Sequence, residues 1–512
     1  MISYVLPTQL HLRSASGDLR PLAILTWTFL LAVASIFWRI LYAFFLSPVR
    51  NVPGPFWSRV SSIPYRWATF RTARTEYSHA LIERYGPIVV IAPDQIHTND
   101  ETAMKTIYNR SSIKTSFYTK MGSWKGVVTT LGKLDYTSAA STRNNLLQCF
   151  QNRNLDTLTQ NIDSHVLKFV KILSEHADKG ENVDGVVWFR LLALDIVTDV
   201  LWGDQTNLLG NASSSTPDFL RRFHAFSKYN ALKSFIPPIE TWVKYFGNAT
   251  WKQLRQDCLD MDVTAHDALI KWNEKDTKGH DRDVLSMLSS MQADGTSDAN
   301  MPQAHIPAYM VEMMAAGSST TSHTATFACW ALTNFPEVQK KLRQELFEAF
   351  PDAGELDMRK SQNLPYLDAV IKETMRMWPM IPGPLERYLG GSITVNGLSV
   401  PPGVIASTSA YSQGRKEDVY KNADKWTPDR WLKADDRMKL NWTPFGHGSR
   451  ICPGSNLAMT ELRYMLCAIF RNLRAIQPTG HENEPIEMMD VFAAGTKSGH
   501  CWLKFEKDDK TA

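Results

Sequence analysis

The run Phe445-Gly446-His447-Gly448-Ser449-Arg450-Ile451-Cys452-Pro453-Gly454 constrains this chain more than any other feature. Its three glycines let backbone amides come close to a bound group and permit positive φ, which most residues avoid. Amides so placed can hydrogen-bond a sulfur and hold it as a thiolate of low basicity, the form that ligates metal. Phe445 can shield that sulfur, and Arg450 offers a forked donor suited to a carboxylate. Thiolate, shielding ring and carboxylate clamp together describe a haem held by cysteine. A glycine-rich loop carrying a buried structural cysteine would share the spacing, so the rest of the chain must discriminate.

Two further constellations do so. Pro365, followed by Leu367, Val370, Ile371 and Met375, predicts an amphipathic helix that stops before Pro379. On it Glu373 and Arg376 stand three apart and share a face. Such a pair is usually solvated and contributes little alone, but Pro428-Asp429-Arg430-Trp431 supplies a second arginine. A long helix is also expected from Pro307 to about Phe335, bounded by Pro336 and containing Ala315-Ala316-Gly317-Ser318-Ser319-Thr320-Thr321. Gly317 and its small neighbours would let a flat cofactor approach the backbone. Hydroxyls there can bond back to preceding carbonyls and loosen the helix.

The order from Phe445 to Gly454 resembles the haem-binding signature of the cytochrome P-450 superfamily at Phe445, Gly446, Gly448, Arg450, Cys452 and Gly454. The resemblance spans about Pro53 to Lys504 and implies haem b, with Cys452 as axial ligand, Arg450 on a propionate and Phe445 packed near the sulfur. It implies a buried structural triad of Glu373, Arg376 and Arg430. It sets Thr320 where the superfamily keeps a proton-delivering threonine on the distal face, and Ser319 where an acid is usual. A carboxylate relays protons, whereas a serine only orients water or passes a proton through its hydroxyl. His323, three residues on, is a weaker candidate for that relay. The superfamily's propionate-binding helix resembles Leu134 to Phe150. There Ala139 replaces the expected histidine, and Arg143, followed by Asn144, remains the candidate ligand.

The N-terminus predicts a membrane anchor. Leu22 to Trp38 carries no charge, Arg39 interrupts, and Ile40 to Leu46 is apolar again. Together they can cross roughly 30 Å of hydrocarbon as one helix, with Arg39 snorkelling. A cleaved signal is the rival, but its Ala32-Val33-Ala34 site would fall in mid-run. Expected boundaries are a short segment at 1–21, the anchor at 22–46, a proline-rich hinge at 47–55 with Pro53-Gly54-Pro55, and the catalytic domain at 56–512. As in microsomal members, this implies a single-pass protein of the endoplasmic reticulum with its catalytic domain in the cytosol.

The expected fold is mainly α with small β-sheets. Helical patterns dominate from Thr72 to Phe350, with loops at Asn211 to Thr216 and Asn273 to Arg282. A strand patch is expected at Ile393 to Thr408, turning at Asn396-Gly397, and a last helix at Asn456 to Leu473. A net charge of +4, with no basic tract, gives no reason to expect nucleic acid as a partner. The six cysteines form no close CxxC pair, consistent with reduced thiols.

The resemblance implies a monooxygenase that takes O2 and two single electrons and inserts one oxygen atom into a lipophilic small molecule. Sixty residues follow Cys452, too few for a fused flavin reductase. The expected donor is therefore a separate NADPH-cytochrome P-450 reductase, docking where basic residues ring the Cys452 face, with cytochrome b5 as an accessory partner. Pocket walls are expected from Phe117 to Trp124, Phe223 to Trp251, Met380-Ile381-Pro382 and Val491-Phe492-Ala493. They are aromatic and aliphatic, suited to a hydrophobic substrate arriving through membrane lipid. The style of the cysteine loop resembles filamentous-fungal members serving secondary metabolism. Two alternatives stay open: a haem-thiolate isomerase or dehydratase needing no reductase, and a non-catalytic haem sensor. A requirement for NADPH and reductase excludes the first, and multiple turnover excludes the second.

Overall fold

A computed structural model describes residues 19–203, 206–211, 218–235, 238–274, 283–293, 305–352, 354 and 356–507. The N-terminal segment through residue 18 and the expected loops at 212–216 and 275–282 lie outside them.

The architecture is mainly helical with small sheets. The first helix, Leu19–Leu41, continues into a π-helical turn, Tyr42–Leu46. Within them Ala23–Leu46 is long and apolar enough to cross a membrane, and its side chains are largely exposed. The following segment packs onto the folded body. Val49 and Val52 are buried with Ile88, Val90 and Ile96, and Val90 N donates to Pro53 O at 2.8 Å. A Cβ on Gly54, at φ 157°, would lie 2.9 Å from Val90 O. Ser47 and Tyr42 hydroxyls donate to the Asp94 carboxylate at 2.7 and 3.0 Å.

The central helix, Ile306–Asn334, starts with Pro307 in its first turn, where a missing N–H costs nothing, and stops before Pro336. It packs along Gly185–Trp202, a helix closed by Gly203 in the left-handed conformation, whose N–H reaches Asp199 O at 2.7 Å. The Glu-Arg helix, Pro365–Met377, and the helix after the cysteine loop, Ser455–Asn472, also pack against it. The latter buries Leu457, Leu462, Met465, Leu466 and Ile469, as their spacing requires.

The strand patch at 393–408 divides between two sheets. Ile393–Val395 and Leu398–Val400 form a separate hairpin, with Asn396 and Gly397 at φ 49° and 79°, the geometry a tight two-residue turn demands. Ile405–Ser407 instead joins a five-stranded sheet in the order Ile88–Ala92, Gln95–Thr98, Ile405–Ser407, Arg387–Tyr388, Ile113–Lys114. Its pairs are antiparallel except Ile405–Ser407 on Gln95–Thr98. The first two strands fall in a region where helical patterns prevail.

Candidate active site

The cysteine loop is closed by its own backbone: Cys452 N donates to Phe445 O at 2.9 Å. Gly446 and Gly448 take φ 80° and 69°. A Cβ on Gly448 would collide with Tyr108 O, and Ser449 N donates to the same oxygen at 3.2 Å, so the loop is fastened to Tyr108. Burial pushes the Cys452 thiol up, while the Gly454 amide and the nearby Arg143 guanidinium pull it back. A metal at the sulfur would reverse the balance, because coordination takes the deprotonated form. Phe445 stands edge-on to Trp442 at 6.0 Å, and Trp442 to Trp431 at 6.0 Å.

A cluster of buried and half-buried cations lies beside this loop. Lys114 and Arg387 are directly opposite each other on paired strands, an arrangement that like charges normally disfavour. Both sit over the Tyr118 ring, at 5.2 and 4.9 Å. Burial, then the charges of Arg387 and Arg450, push Lys114 down to about 7, and Glu312 offsets only part of this. Burial and Arg387 likewise bring Arg450 down to about 10. Arg450 Nη2 donates to Leu134 O at 2.7 Å and Arg143 Nη2 to Ile451 O at 2.7 Å. The Nε atoms of both arginines are buried with no partner among the described residues. Arg143 reaches the loop from Tyr136–Cys149, a helix capped by Asp135, which accepts from Ser138 N at 2.7 Å. Crowded cations with orphaned donors next to a cysteine fit a haem, whose two carboxylates would neutralise them. Gly454, beside which a Cβ would meet nothing within 4 Å, leaves room for a flat ring.

The triad residues meet. Arg376 donates to Glu373 through Nε and Nη2 at 2.8 and 2.9 Å, and Arg430 Nε reaches Glu373 Oε1 at 3.0 Å. Thr427 N and Trp431 Nε1 also donate to Glu373, at 2.7 and 2.8 Å. The side chains of Glu373 and Arg376 are fully buried. Trp431 thereby links the triad to Phe445 through Trp442.

On the central helix, Thr320 Oγ1 donates to Ala316 O at 2.7 Å, and Ala316 is exposed on an element whose other residues are buried or half-buried. Glu312, one turn earlier on the same strip, accepts from Leu131 N at 2.7 Å, while Leu131 O accepts from Lys114 Nζ at 2.7 Å. The strip Glu312-Ala316-Thr320 therefore starts at the cation cluster. Gly317 does not belong to it. A Cβ there would meet Val197 Cγ2 at 2.9 Å, so this glycine lets Gly185–Trp202 pack close. His323 is buried, with Nδ1 2.8 Å from Ser319 O and Nε2 3.3 Å from Arg190 Nη2. Its Nε2 faces the neighbouring helix.

The expected pocket walls converge. Phe117 lies 5.8 Å from Phe492, Trp124 5.0 Å from Phe226, and Ala494 N donates to Met380 O at 2.7 Å. Three residues escaped the sequence reading. Lys114 and Arg387 have no local signature, since only strand pairing unites them. Glu461 did leave one: it falls four residues after Leu457, on the inward stripe of its helix. It is buried, hydrogen-bonded to Thr321, and its carboxyl is pushed by burial up to about 8.

The sequence pattern of the cytochrome P-450 family matches residues 59–501. The chain is similar to the cytochrome P-450 monooxygenase stcB of Emericella nidulans, 26% identical over 469 residues, covering 88% of this chain and 87% of the relative. It is similar to the cytochrome P-450 monooxygenase aflV of Aspergillus parasiticus, 25% identical over 500 residues, covering 94% and 96%. Averantin hydroxylase of Dothistroma septosporum is 27% identical over 461 residues, covering 87% and 83%. A cysteine loop beside a cation cluster, in a chain matched over most of its length, leads to one conclusion: the protein belongs to the cytochrome P-450 family and is a monooxygenase.

Proposed function

We propose that the protein inserts one oxygen atom from O2 into a hydrophobic small molecule of fungal secondary metabolism. In this reading it is anchored in the endoplasmic reticulum by 22–46, with the catalytic domain in the cytosol, and takes electrons from NADPH through a separate reductase. The observation that carries the reading is the half-buried cysteine loop set against Lys114, Arg387 and Arg450. Haem bound there supplies the redox-active iron at which oxygen is activated. Cys452 provides the thiolate, whose basicity the Gly454 amide and Arg143 restrain. Arg450, Lys114, Arg387 and Arg143 would hold the propionates of that group. The Thr320 hydroxyl carries a proton that it now donates to Ala316 O, and a rotation of its side chain would offer that proton to the distal face. With serine at 319, the threonine and ordered water must do this without a neighbouring carboxylate. The aromatic walls orient the substrate and exclude water.

The decisive experiment is the carbon monoxide difference spectrum of the reduced protein, followed by turnover with NADPH and reductase. The red-shifted Soret band of thiolate ligation and reductase-dependent product are expected; turnover without either donor would replace this reading by a peroxide-rearranging one. In Thr320→Ala, NADPH oxidation should continue while a larger share of its electrons appears as hydrogen peroxide. Tightly coupled turnover in that variant would remove Thr320 from the proton path.

A further inference from the structure

The strands Met488–Val491 and Ala493–Thr496 form an antiparallel hairpin whose tip is Phe492, at φ 85°. Among the described residues, the other non-glycines at positive φ are Thr72, Asp94, Lys125 and four asparagines. A bulky aromatic in this region is a genuine outlier, held only where its surroundings over-determine it. Those surroundings are visible. Asp490, 2% exposed, accepts from Arg74 Nε and Nη2 at 3.0 and 3.2 Å and from Thr75 Oγ1 at 2.5 Å. Its Oδ1 also accepts from Phe492 N at 2.9 Å, and its own N–H donates to Thr72 O at 3.0 Å. Gly383 closes over the same ion pair: a Cβ there would lie 2.5 Å from Asp490 Oδ2 and 2.7 Å from Arg74 Nη2. One buried pair thus ties the helix Arg74–Tyr85, the segment after Pro382 and the hairpin tip together. The Phe492 ring so held lies 5.8 Å from Phe117 and 6.3 Å from Tyr118, the ring beneath Lys114 and Arg387.

We propose that the Arg74–Asp490 pair is a positioning device which forces Phe492 into its left-handed conformation, and that the Phe492–Phe117 wall selects substrates bearing a planar aromatic portion. The inference rests on the monooxygenase reading and deepens it by assigning a substrate class to the site. The pair touches no substrate itself; it acts through the aromatic tip.

The test uses full-length holoenzyme and three probes whose nitrogen ligates haem iron: imidazole, N-benzylimidazole and N-octylimidazole, read from the Soret shift. Phe492→Ala should raise the dissociation constant of the benzyl probe roughly three- to tenfold, the scale of one aromatic contact, with imidazole unchanged and the octyl probe affected less. Phe492→Gly should do the same yet melt at a higher temperature than Phe492→Ala, because glycine accepts this φ. Asp490→Ala should reproduce the loss of aryl affinity, and the double variant Asp490→Ala/Phe492→Ala should lose no more than either alone. Where Asp490→Ala fails to fold, Thr75→Val weakens the same carboxylate's hold and carries the comparison. Unchanged aryl affinity in the Phe492 variants, or additive losses in the double variant, would overturn the proposal. A wild-type protein lacking the thiolate band with carbon monoxide would instead sink the monooxygenase reading, so the two failures are distinguishable.

Discussion

Lys114 and Arg387 face each other across two strands with Arg450 close by, an arrangement that is costly until carboxylates arrive. Lys114→Met should therefore act with opposite signs in the two states of the enzyme. The haem-free protein should melt higher, because a buried and poorly compensated charge is gone. The holoenzyme should release haem about ten- to a hundredfold faster, the worth of one charge-assisted bond of about 1.5–3 kcal/mol. Thermal melts of the haem-free form and haem transfer to apomyoglobin read the two effects; a shift of both in the same direction would contradict the propionate role. Glu461 gives a pH signature. Burial raises its carboxyl from 4.5 to about 8 despite the hydrogen bond from Thr321. The folded protein thus holds this proton more tightly than the unfolded chain does. Its contribution is intact below 4.5 and is lost as the pH rises toward about 8. Glu461→Gln does not titrate, so its unfolding free energy relative to wild type, read from denaturant melts, should climb between pH 5 and 8 by a few kcal/mol at most. A constant difference across that range would mean that Glu461 is already ionised.

At the level of elements, the central helix and Gly185–Trp202 are set apart by the size of residue 317. Gly317→Ala pushes a methyl group to within 2.9 Å of Val197 Cγ2, which should cost about 1–3 kcal/mol by overpacking. Val197→Ala in the same chain should restore part of that loss, and denaturant melts of the single and double variants check it. No rescue would return Gly317 to the cofactor face where the sequence suggested it. The packing contact at Gly317 shows what the sequence can carry. The Glu-Arg helix was legible because its signals are local: Pro365 at the start, an apolar stripe, and two charges three apart. Even so, nothing local reveals that Glu373 accepts five hydrogen bonds there. The cysteine loop was legible because its glycines and Cys452 lie within ten consecutive residues. The strand Ile88–Ala92 was not, since a continuous buried apolar run has no period that separates strand from helix. Which face of the central helix meets the cofactor was equally hidden. Small residues there serve helix packing and ligand approach alike, and only Val197 discriminates.

For the whole molecule, the question is where the anchor ends and the folded body begins. Sequence places a hinge at 47–55, yet Val49 and Val52 are 3% and 1% exposed, inside the cluster that supports the five-stranded sheet. Burying two valines stabilises by about 3–6 kcal/mol as an upper estimate, and the bond from Val90 N to Pro53 O adds to it. Removing residues 1–46 should leave a protein that still binds haem, since this cut spares the buried valines and forfeits mainly the bond from Tyr42 to Asp94. Removing residues 1–55 should give a protein that melts markedly lower and retains less haem. Neither cut makes the surface wholly polar. Phe56, Trp57, Ile63, Trp67 and Phe70 are each at least 45% exposed on the two short helices Phe56–Val60 and Ile63–Phe70, and Phe44 stacks on Phe56 at 5.6 Å where the anchor meets them. Aromatic rings in that position suit the boundary between lipid and water. The form lacking 1–46 should therefore still sediment with membranes in high salt and be released by detergent, whereas a form that also carries Trp57→Ser and Trp67→Ser should stay in the supernatant. Sedimentation, haem content and melting temperature of the three truncated proteins separate the roles. Equal stability of the two deletions would mean that 47–55 is only a tether, and full release of the shorter deletion by salt alone would confine membrane contact to the anchor helix.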